Sequence, residues 1–585
     1  DLPRLLRPRA RRLHAGRGRD DVARAVSGVG TVDGRPAPRG VARWTGVRLA
    51  AREAWATAGA LFVFAVVVRA IAAIAIPFPI PEDTTYYVDV ARSLLQGHGL
   101  VSDALWSYQT PPLIVPRAAF EVWLPLPTFL AAVPMALLGA TFRSAQVAAV
   151  AVGSLVPVLV WRLAADVAEE GEMPAGRARV LAVGAGLVAA LDPPLVLYGA
   201  LPDSTMPFAV LALAACLLMA RVLRDPRGLS AADPRLLGLG VLLGLTALTR
   251  NEALWVALAW AALAWWGLRG EGRRGRLRAI AVPAVVSIAI YVPWMVRDWA
   301  AFGTPLPGQA LSNALSVRGT DIFAWADPPT LARYLAQGPA ALAGVRVQAL
   351  VHDLVDVLVV PGMPAAVIGL AALVLMRSVR RSAALLPIAA VSAVLYLATS
   401  LLFPVATQWG TFLHASGPIQ AYLIVPAALL LDRLIERVGG FRGWTRPVAW
   451  LGPALLLAVT LPIAVLSVST FGAQARDTQA RYVALRSDLA AAGLLVPGRP
   501  IVSDHPIWVA DVLATPGLAL PQEPVSSVLE ISRRFGAAVV VLDASSDGPA
   551  WPAAADSPVG RQCLARVPLH GSEAATLEAY RVICP

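Results

Sequence analysis

The chain has 585 residues and a mass of 61.4 kDa; 57% of its residues are hydrophobic and 15% charged, with a formal net charge of +12 and a mean hydropathy of +0.63. Soluble domains carry about 25% charged residues, so a single core wrapped in one polar surface is excluded, as are a disordered chain, a coiled coil and a small disulfide scaffold. The composition is that of a polytopic membrane protein.

The positive charge does not read as a nucleic-acid footprint. Every basic residue is arginine, and the arginines sit in short blocks between apolar runs, the pattern of cytoplasmic membrane loops. Only two asparagines occur, Asn251 and Asn313, neither in a glycosylation sequon. Ala is abundant and Arg, Pro and Gly number 50, 48 and 46, which reads as a GC-rich bacterial coding sequence. Three cysteines are too few for a framework. Cys216 lies in an apolar run and reads as a core residue; Cys563 and Cys584 fall in the polar C-terminal part, where a disulfide is open to them if that part is extracytoplasmic.

Residues 1–52 carry thirteen Arg against four Asp, with frequent Gly and Pro. They read as a disordered, Arg-rich cytoplasmic tail held by anionic headgroups. The first span is expected over about 55–76 and ends in a proline cluster, Pro77, Pro79 and Pro81. It is too long for a cleavable signal peptide and lacks a small-residue cleavage site. A polar stretch, 82–121, follows, with a helical piece at 84–96 stopped by Gly97 and Gly99. Further apolar runs lie near 124–141, 144–162, 179–198, 204–220, 236–249, 253–268, 279–296, 355–376, 383–403, 416–432 and 448–470, twelve runs in all.

Arginine bias orients the loops. The segments 221–235, 269–278, 377–381 and 433–446 are arginine-rich and expected to be cytoplasmic. That puts 198–204, the turn at 250–252, the loop 297–353, the loop 404–415 and everything after 471 outside. With the N-terminus inside, 82–121 is also outside, so an even number of crossings must separate it from 198–204, and three runs lie between. The run 124–141, short and broken by Pro125, Pro127 and Pro134, is therefore read as an interfacial or re-entrant helix. The expected fold class is an α-helical polytopic membrane protein with about eleven spans and interfacial helices, N-terminus inside. It divides into the tail 1–52, a transmembrane module 53–470 with a first external loop 82–142, and a small extracytoplasmic α/β domain 471–585. In that domain strands are expected at Pro500–Ser503, Ala537–Leu542, Arg561–Val567 and Ala579–Ile583, and helices at Ile507–Ala514 and Val525–Phe535. No internal repeat is visible, and no charged residue is expected in the middle of a span.

Polar residues that solvation does not explain collect at the outer face. Glu82 and Asp83 follow a span by a few residues and open an amphipathic helix, beside Tyr86 and Tyr87. A partly desolvated carboxylate there can act as general base on a hydroxyl; helix capping by Asp83 is the plainer alternative. Asp203 opens a span at its outer end, where capping again competes. Arg250, at an outer turn with Glu252, suits a lipid phosphate or a local ion pair. Arg297 lies at an outer boundary among Trp294, Trp299 and Phe302; belt anchoring explains the tryptophans but not the arginine. His414 and Gln408, in the loop before the run at 416, are weaker candidates. No nucleotide loop, Ser/His/Asp triad or zinc spacing is present.

The order of these residues, from Asp83-Thr84-Thr85-Tyr86-Tyr87 through Arg92 to Gly97-His98-Gly99, then Trp123-Leu124-Pro125-Leu126, Gly139, Asp203, Leu248-Thr249-Arg250, and Pro293 to Arg297 with Phe302-Gly303, resembles the C-type (GT-C) membrane glycosyltransferases. The branch it is most similar to contains the protein O-mannosyltransferases and the lipid A aminoarabinose transferases, and the resemblance covers about 80–420. It implies an Asp of the first external loop as catalytic base, carried onto Asp83. Members often follow that Asp with Glu; here Thr84 follows and Glu82 precedes, so either carboxylate is a candidate. A second-loop Asp maps onto Asp203, and donor-phosphate residues match Arg250 and Arg297. Tyr86, Tyr87, Glu252 and His414 are expected around the substrates.

The implied reaction transfers a sugar from a polyprenyl-phosphate donor to an acceptor hydroxyl of a protein, lipid or glycan, at the outer face of a bacterial cytoplasmic membrane, with inversion. No cofactor is expected to be required, although two acidic residues on one face keep a divalent metal open; the other partners are membrane lipids, and nucleic acid is not one. The competing readings are a surface-polysaccharide polymerase or ligase, and a transporter or flippase of lipid-linked sugar, which needs polar groups near the midplane.

Overall fold

The computed structural model describes residues 39–226, 229–446, 448–543, 551–570 and 576–584. The chain divides into two compact units, 1–55 and 56–585. The expected basic tail lies outside the described residues as far as residue 38, and from Arg39 the backbone is helical, in the helix Arg39–Ala75. The rest concerns the second unit.

Each apolar run folds as helix. Among the described residues six helices are long and apolar enough to cross a membrane: Arg52–Ala75, Phe142–Glu170, Thr205–Arg224, Arg269–Phe302, Gly417–Arg442 and Leu451–Ala491. A seventh crossing results if Ala175–Leu191 and Pro193–Ala200, bent by 63° at Asp192, are taken together. The other four expected spans are the helices Pro234–Ala247, Ala253–Gly267, Ala365–Leu375 and Leu386–Leu402, of 14, 15, 11 and 17 residues. They fall short of the about 20 residues that a straight crossing needs. The run at 124–141 gives a 13-residue helix, Leu126–Leu138.

One expectation fails inside the first span. Arg69 is fully buried there, donating from NH1 to the carbonyls of Ala65 (3.5 Å) and Ala190 (3.3 Å). Asp192, at the bend of the broken helix, is buried too. A run that is otherwise wholly apolar masks one arginine in any averaged reading. The guanidinium fits because Gly153 and Gly199 have no side chains: a Cβ on Gly199 would lie 2.5 Å from Arg69 Nε.

The C-terminal part contributes five strands to a six-stranded mixed sheet. Its strands are β2 (Ala104–Leu105), β4 (Ile501–Ser503), β5 (Gly517–Ala519), β6 (Val539–Asp543), β7 (Leu564–Val567) and β8 (Leu577–Val582), in the order β2-β5-β4-β6-β8-β7. The first four neighbours are parallel and the last two pairings antiparallel. β4, β6, β7 and β8 match the expected strands. β5 and β2 do not appear in the sequence reading, being three and two residues long. β2 comes from the segment between the first two long helices, in register Ala104 with Gly517 and Leu105 with Leu518. Gly517 is required: a Cβ there would sit 1.9 Å from the Pro506 carbonyl oxygen. In the same loop β1 (Val101–Ser102) pairs antiparallel with β3 (Arg117–Ala118).

The expected boundary at 470/471 falls inside one helix. Leu451–Ala491 has 41 residues, about 60 Å at 1.5 Å per residue, twice the hydrocarbon thickness of about 30 Å. Its far end leaves the apolar segment and buries Tyr482, Leu485 and Leu489 in the core of the sheet domain with Ile501, Val509, Val539 and Val541. Cys563 and Cys584 form a disulfide, Cα–Cα 4.7 Å, closing the β7–β8 hairpin. Cys216 is a buried free thiol.

Candidate active site

The proline cluster ends the first span by removing backbone donors, and the chain re-enters helix at Glu82–Leu95. Thr85 Oγ1 donates to the Pro79 carbonyl at 2.7 Å and fixes that entry. Successive residues of a helix point about 100° apart, so Glu82 and Asp83 face different neighbours.

Asp83 faces the membrane helices. Its Oδ2 lies 3.3 Å from His414 Nε2, and its side chain is 27% exposed. His414 is buried in the short helix Thr411–Ala415. On the other side of the ring, Nδ1 is 2.7 Å from Thr205 Oγ1 and 3.6 Å from Asp203 Oδ2. Asp203 accepts the Thr205 backbone N–H at 2.9 Å and the Thr205 hydroxyl at 3.2 Å. One oxygen thus takes the N–H of the first residue of the helix Thr205–Arg224, from the position before the N-cap Ser204, while the other faces the imidazole. The imidazole thus stands between Thr205 and Asp203 on its Nδ1 side and Asp83 on its Nε2 side.

Tyr87, one helical turn beyond Asp83, joins the same group. Its phenol is paired with Ser204, and burial, with the Asp83 charge adding to it, pushes it well above the usual tyrosine range. Arg250 donates from NH1 to Ser204 Oγ at 2.8 Å and from NH2 to the Thr411 carbonyl at 3.2 Å. It also forms a two-pronged ion pair with Glu252, Nε to Oε2 at 3.1 Å and NH2 to Oε1 at 2.8 Å. The local ion pair and the place beside the carboxylates thus hold together.

Three expected site residues lie elsewhere. Glu82 faces the sheet domain: its Oε1 accepts the backbone N–H of Ile507 at 3.0 Å and of Trp508 at 3.3 Å, and its Oε2 is 3.4 Å from His505 Nδ1. Tyr86 points under the first loop, its hydroxyl accepting the Phe120 N–H at 2.6 Å and its ring 4.2 Å from Trp123. Arg297 belongs to that second cluster. It pairs with Asp298 at 3.0 Å and lies over Trp294, Phe302 and Phe120 at 4.9, 5.5 and 6.0 Å. Beneath it the buried ion pair Arg117–Glu121 closes at 3.4 Å. Among the described residues no contact joins Arg297 to Asp83, Asp203 or Arg250.

Sequence reasoning missed Ser204, Thr205 and His505. Ser204 and Thr205 directly follow Asp203, and a carboxylate-hydroxyl-hydroxyl run at a helix start was the available signal. His505 had none, being over 400 residues from its partner. Among the described residues no group of three or more His, Cys, Asp or Glu side chains is arranged to hold a metal.

The fold is that of the C-type membrane glycosyltransferases. The aminoarabinose transferase ArnT from Cupriavidus metallidurans, in its apo state, superimposes with a TM-score of 0.52 at 14% identity, over 90% of this chain and 98% of that one. The archaeal oligosaccharyltransferase AglB from Archaeoglobus fulgidus, solved with an inhibitory peptide and a dolichol-phosphate, gives 0.50 at 13% identity, over 86% and 73%. The same organism's oligosaccharyltransferase in complex with Zn and sulfate gives 0.51 at 15%, over 83% and 68%. At these identities the likeness is one of fold. No protein-family model matches the chain, and a search of curated proteins finds no match.

Proposed function

We propose that this multi-pass membrane protein is a glycosyltransferase that moves one sugar from a polyprenyl-phosphate donor to an acceptor hydroxyl at the outer face of a bacterial cytoplasmic membrane, with the N-terminus inside and the sheet domain outside. The observation that carries the reading is Asp83: a carboxylate at the start of the first loop helix, a quarter exposed, backed by an imidazole that a second carboxylate orients. The shared fold supports the class, and the dolichol-phosphate bound to AglB supports a lipid-phosphate donor. The acceptor is a protein, lipid or glycan hydroxyl.

In the proposed step the acceptor oxygen attacks the anomeric carbon while its proton passes to Asp83. The new C–O bond forms as the bond from that carbon to the donor phosphate breaks, and the electron pair leaves with the phosphate. A single displacement inverts the anomeric configuration. The proton is shared onward to His414 Nε2, with the resulting imidazolium held between Asp83 and Asp203. Arg250, which donates to Ser204 beside Asp203, offsets the leaving charge in a site of low dielectric; Arg297 sits apart, over Trp294, Phe302 and Phe120. Proton transfer by side chains accounts for the step without a metal cofactor, and turnover is expected to survive chelation.

The test is transfer by the purified chain in lipid from radiolabelled polyprenyl-phosphate mannose, glucose and arabinose, comparing wild type with Asp83→Asn. A general base contributes about 10²–10⁴-fold, so the variant is expected to lose at least a hundredfold in kcat. Equal turnover by both proteins would remove Asp83 from the mechanism.

A further inference from the structure

Besides the face on which Tyr86 meets Phe120 and Trp123, the helix Glu82–Leu95 has two faces occupied by charged groups, and only one of them is explained by the site. Asp83 and Tyr87, four residues apart, face Ser204 and His414. Glu82 and Asp89, seven residues apart and so on a common face, turn toward the helix Pro506–Leu513 of the sheet domain, together with Arg92. Two anchors hold that face. At one end Glu82 accepts the Ile507 and Trp508 N–H groups and lies beside His505. Two turns further on, Arg92 bridges Asp89 at 2.6 Å and Asp511 at 2.9 Å. The chain leading into the helix is held by the same element: Trp508 Nε1 donates to the Pro79 carbonyl at 3.2 Å, and its ring meets Phe78.

Two anchors on one face fix the rotation of a helix about its axis. A carboxylate roughly 5 Å from that axis moves nearly 2 Å for a turn of about 20°. A misplacement of about 1 Å at a reacting group costs about a hundredfold in rate. Tyr86 and Arg92 also tie the helix to Phe120 and Ala140, but the restraint at Glu82 itself, next to Asp83, comes from Ile507, Trp508 and His505.

We propose that Glu82 is a positioning residue: the sheet domain, gripping it through the start of helix 506–513, sets the direction in which the neighbouring Asp83 points. The proposal rests on the reading of Asp83 as the base. It makes the domain part of the machinery of the site rather than an appended module, and it separates the roles of two adjacent carboxylates.

The experiment uses the full chain in lipid nanodiscs, with the donors named above and hydrogen exchange of segment 82–95 as a second readout. Glu82→Ala removes both acceptors; kcat is expected to fall at least tenfold with KM for the donor within twofold, and exchange in 82–95 to accelerate. Glu82→Gln keeps an oxygen for both N–H groups and is expected to restore kcat to within about threefold of wild type. Wild-type kcat in Glu82→Ala overturns the proposal. So does a Glu82→Gln as inactive as Asp83→Asn, because Glu82 would then be the base. If Glu82→Ala does not accumulate, Arg92→Met loosens the second anchor without touching Glu82; a threefold or greater loss of kcat supports the positioning role and no loss overturns it. If wild type transfers from no donor, the sugar-transfer reading fails instead, and exchange alone decides: unchanged protection of 82–95 in Glu82→Ala overturns the positioning role.

Discussion

Glu82 and Asp83 are neighbours of one chemistry in two environments. The helix turns them apart, so that one accepts backbone N–H groups of another domain while the other meets an imidazole in the membrane-facing site. The second carboxylate, Asp203, works through His414. With Thr205 it holds the ring so that Nε2 is directed at Asp83. His414→Gln keeps the hydrogen-bonding shape but cannot become a cation. It is expected to lower kcat by about ten- to a hundredfold, at the lower end of what proton transfer contributes, with little change in KM for the donor; the transfer assay measures it, and wild-type kcat would remove His414 from the proton path. These residues were visible in the sequence as candidates because a carboxylate or a histidine at the end of an apolar run is conspicuous. Their grouping was not, since Asp83, Asp203, Arg250 and His414 are spread over more than 300 positions. Nor did the sequence show that Tyr86, one residue from Tyr87, and Arg297, in the helix Gly272–Phe302, meet in an aromatic cluster apart from Asp83.

At the scale of elements, the membrane helices pack through small residues, which replace the hydrophobic drive that lipid does not provide. Gly153 meets Gly199 so closely that a Cβ on Gly153 would lie 2.8 Å from the Gly199 Cα and 3.2 Å from Arg69 Nε. Backbone cannot give way as a side chain can. Gly153→Ala is therefore expected to destabilise the protein by about 1–3 kcal/mol, the usual result of overpacking, read as a lower melting temperature in lipid. An unchanged melting temperature would mean that the helices slide to make room. Apolar runs predicted which segments are helical because burial in lipid or protein selects for the same residues. They did not predict which helices are long enough to cross, because helix ends are set by local turns and glycines. In the sheet β4, β6, β7 and β8 were legible from their apolar runs, whereas β5 shows itself only by pairing with β4 and β2, and β2 only by pairing with β5.

Within the second unit, residues 82–121 and the sheet domain are tied together at several points. β2 adds to the sheet edge, Tyr108 donates to the Ala519 carbonyl at 2.5 Å, and Glu82 docks at His505. This last contact titrates. Burial alone would push the His505 imidazole down, but the Glu82 carboxylate, helped by Asp504 and Asp543, outweighs it and lifts the imidazole to about 9 from an ordinary 6.5. The groups facing it are Glu82, Asp504, Asp543 and the phenol of Tyr482, with Arg481 beside Asp543. A histidine whose folded value is raised stabilises the fold fully below about 6.5 and ceases to do so as pH rises through about 9. Thermal stability in lipid is therefore expected to decline between pH 7 and pH 10 in wild type and to be flatter in His505→Gln. Equal slopes in the two proteins would show that the contact does not carry the charge.

Composition and arginine bias alone determined that this chain is a helical membrane protein with a small α/β part, because the transfer of side chains into lipid depends on residue type and little on neighbours. The residue order also carried the likeness to C-type glycosyltransferases. Tertiary structure alone decided that Asp83, Asp203 and His414 form one line, that Glu82 belongs to a different contact, and that Arg69 can be buried within a span. Each of these depends on what lies across a gap in sequence of tens to hundreds of residues. The energy of a carboxylate or a guanidinium is set by the partners within a few ångströms of it, which no local pattern encodes.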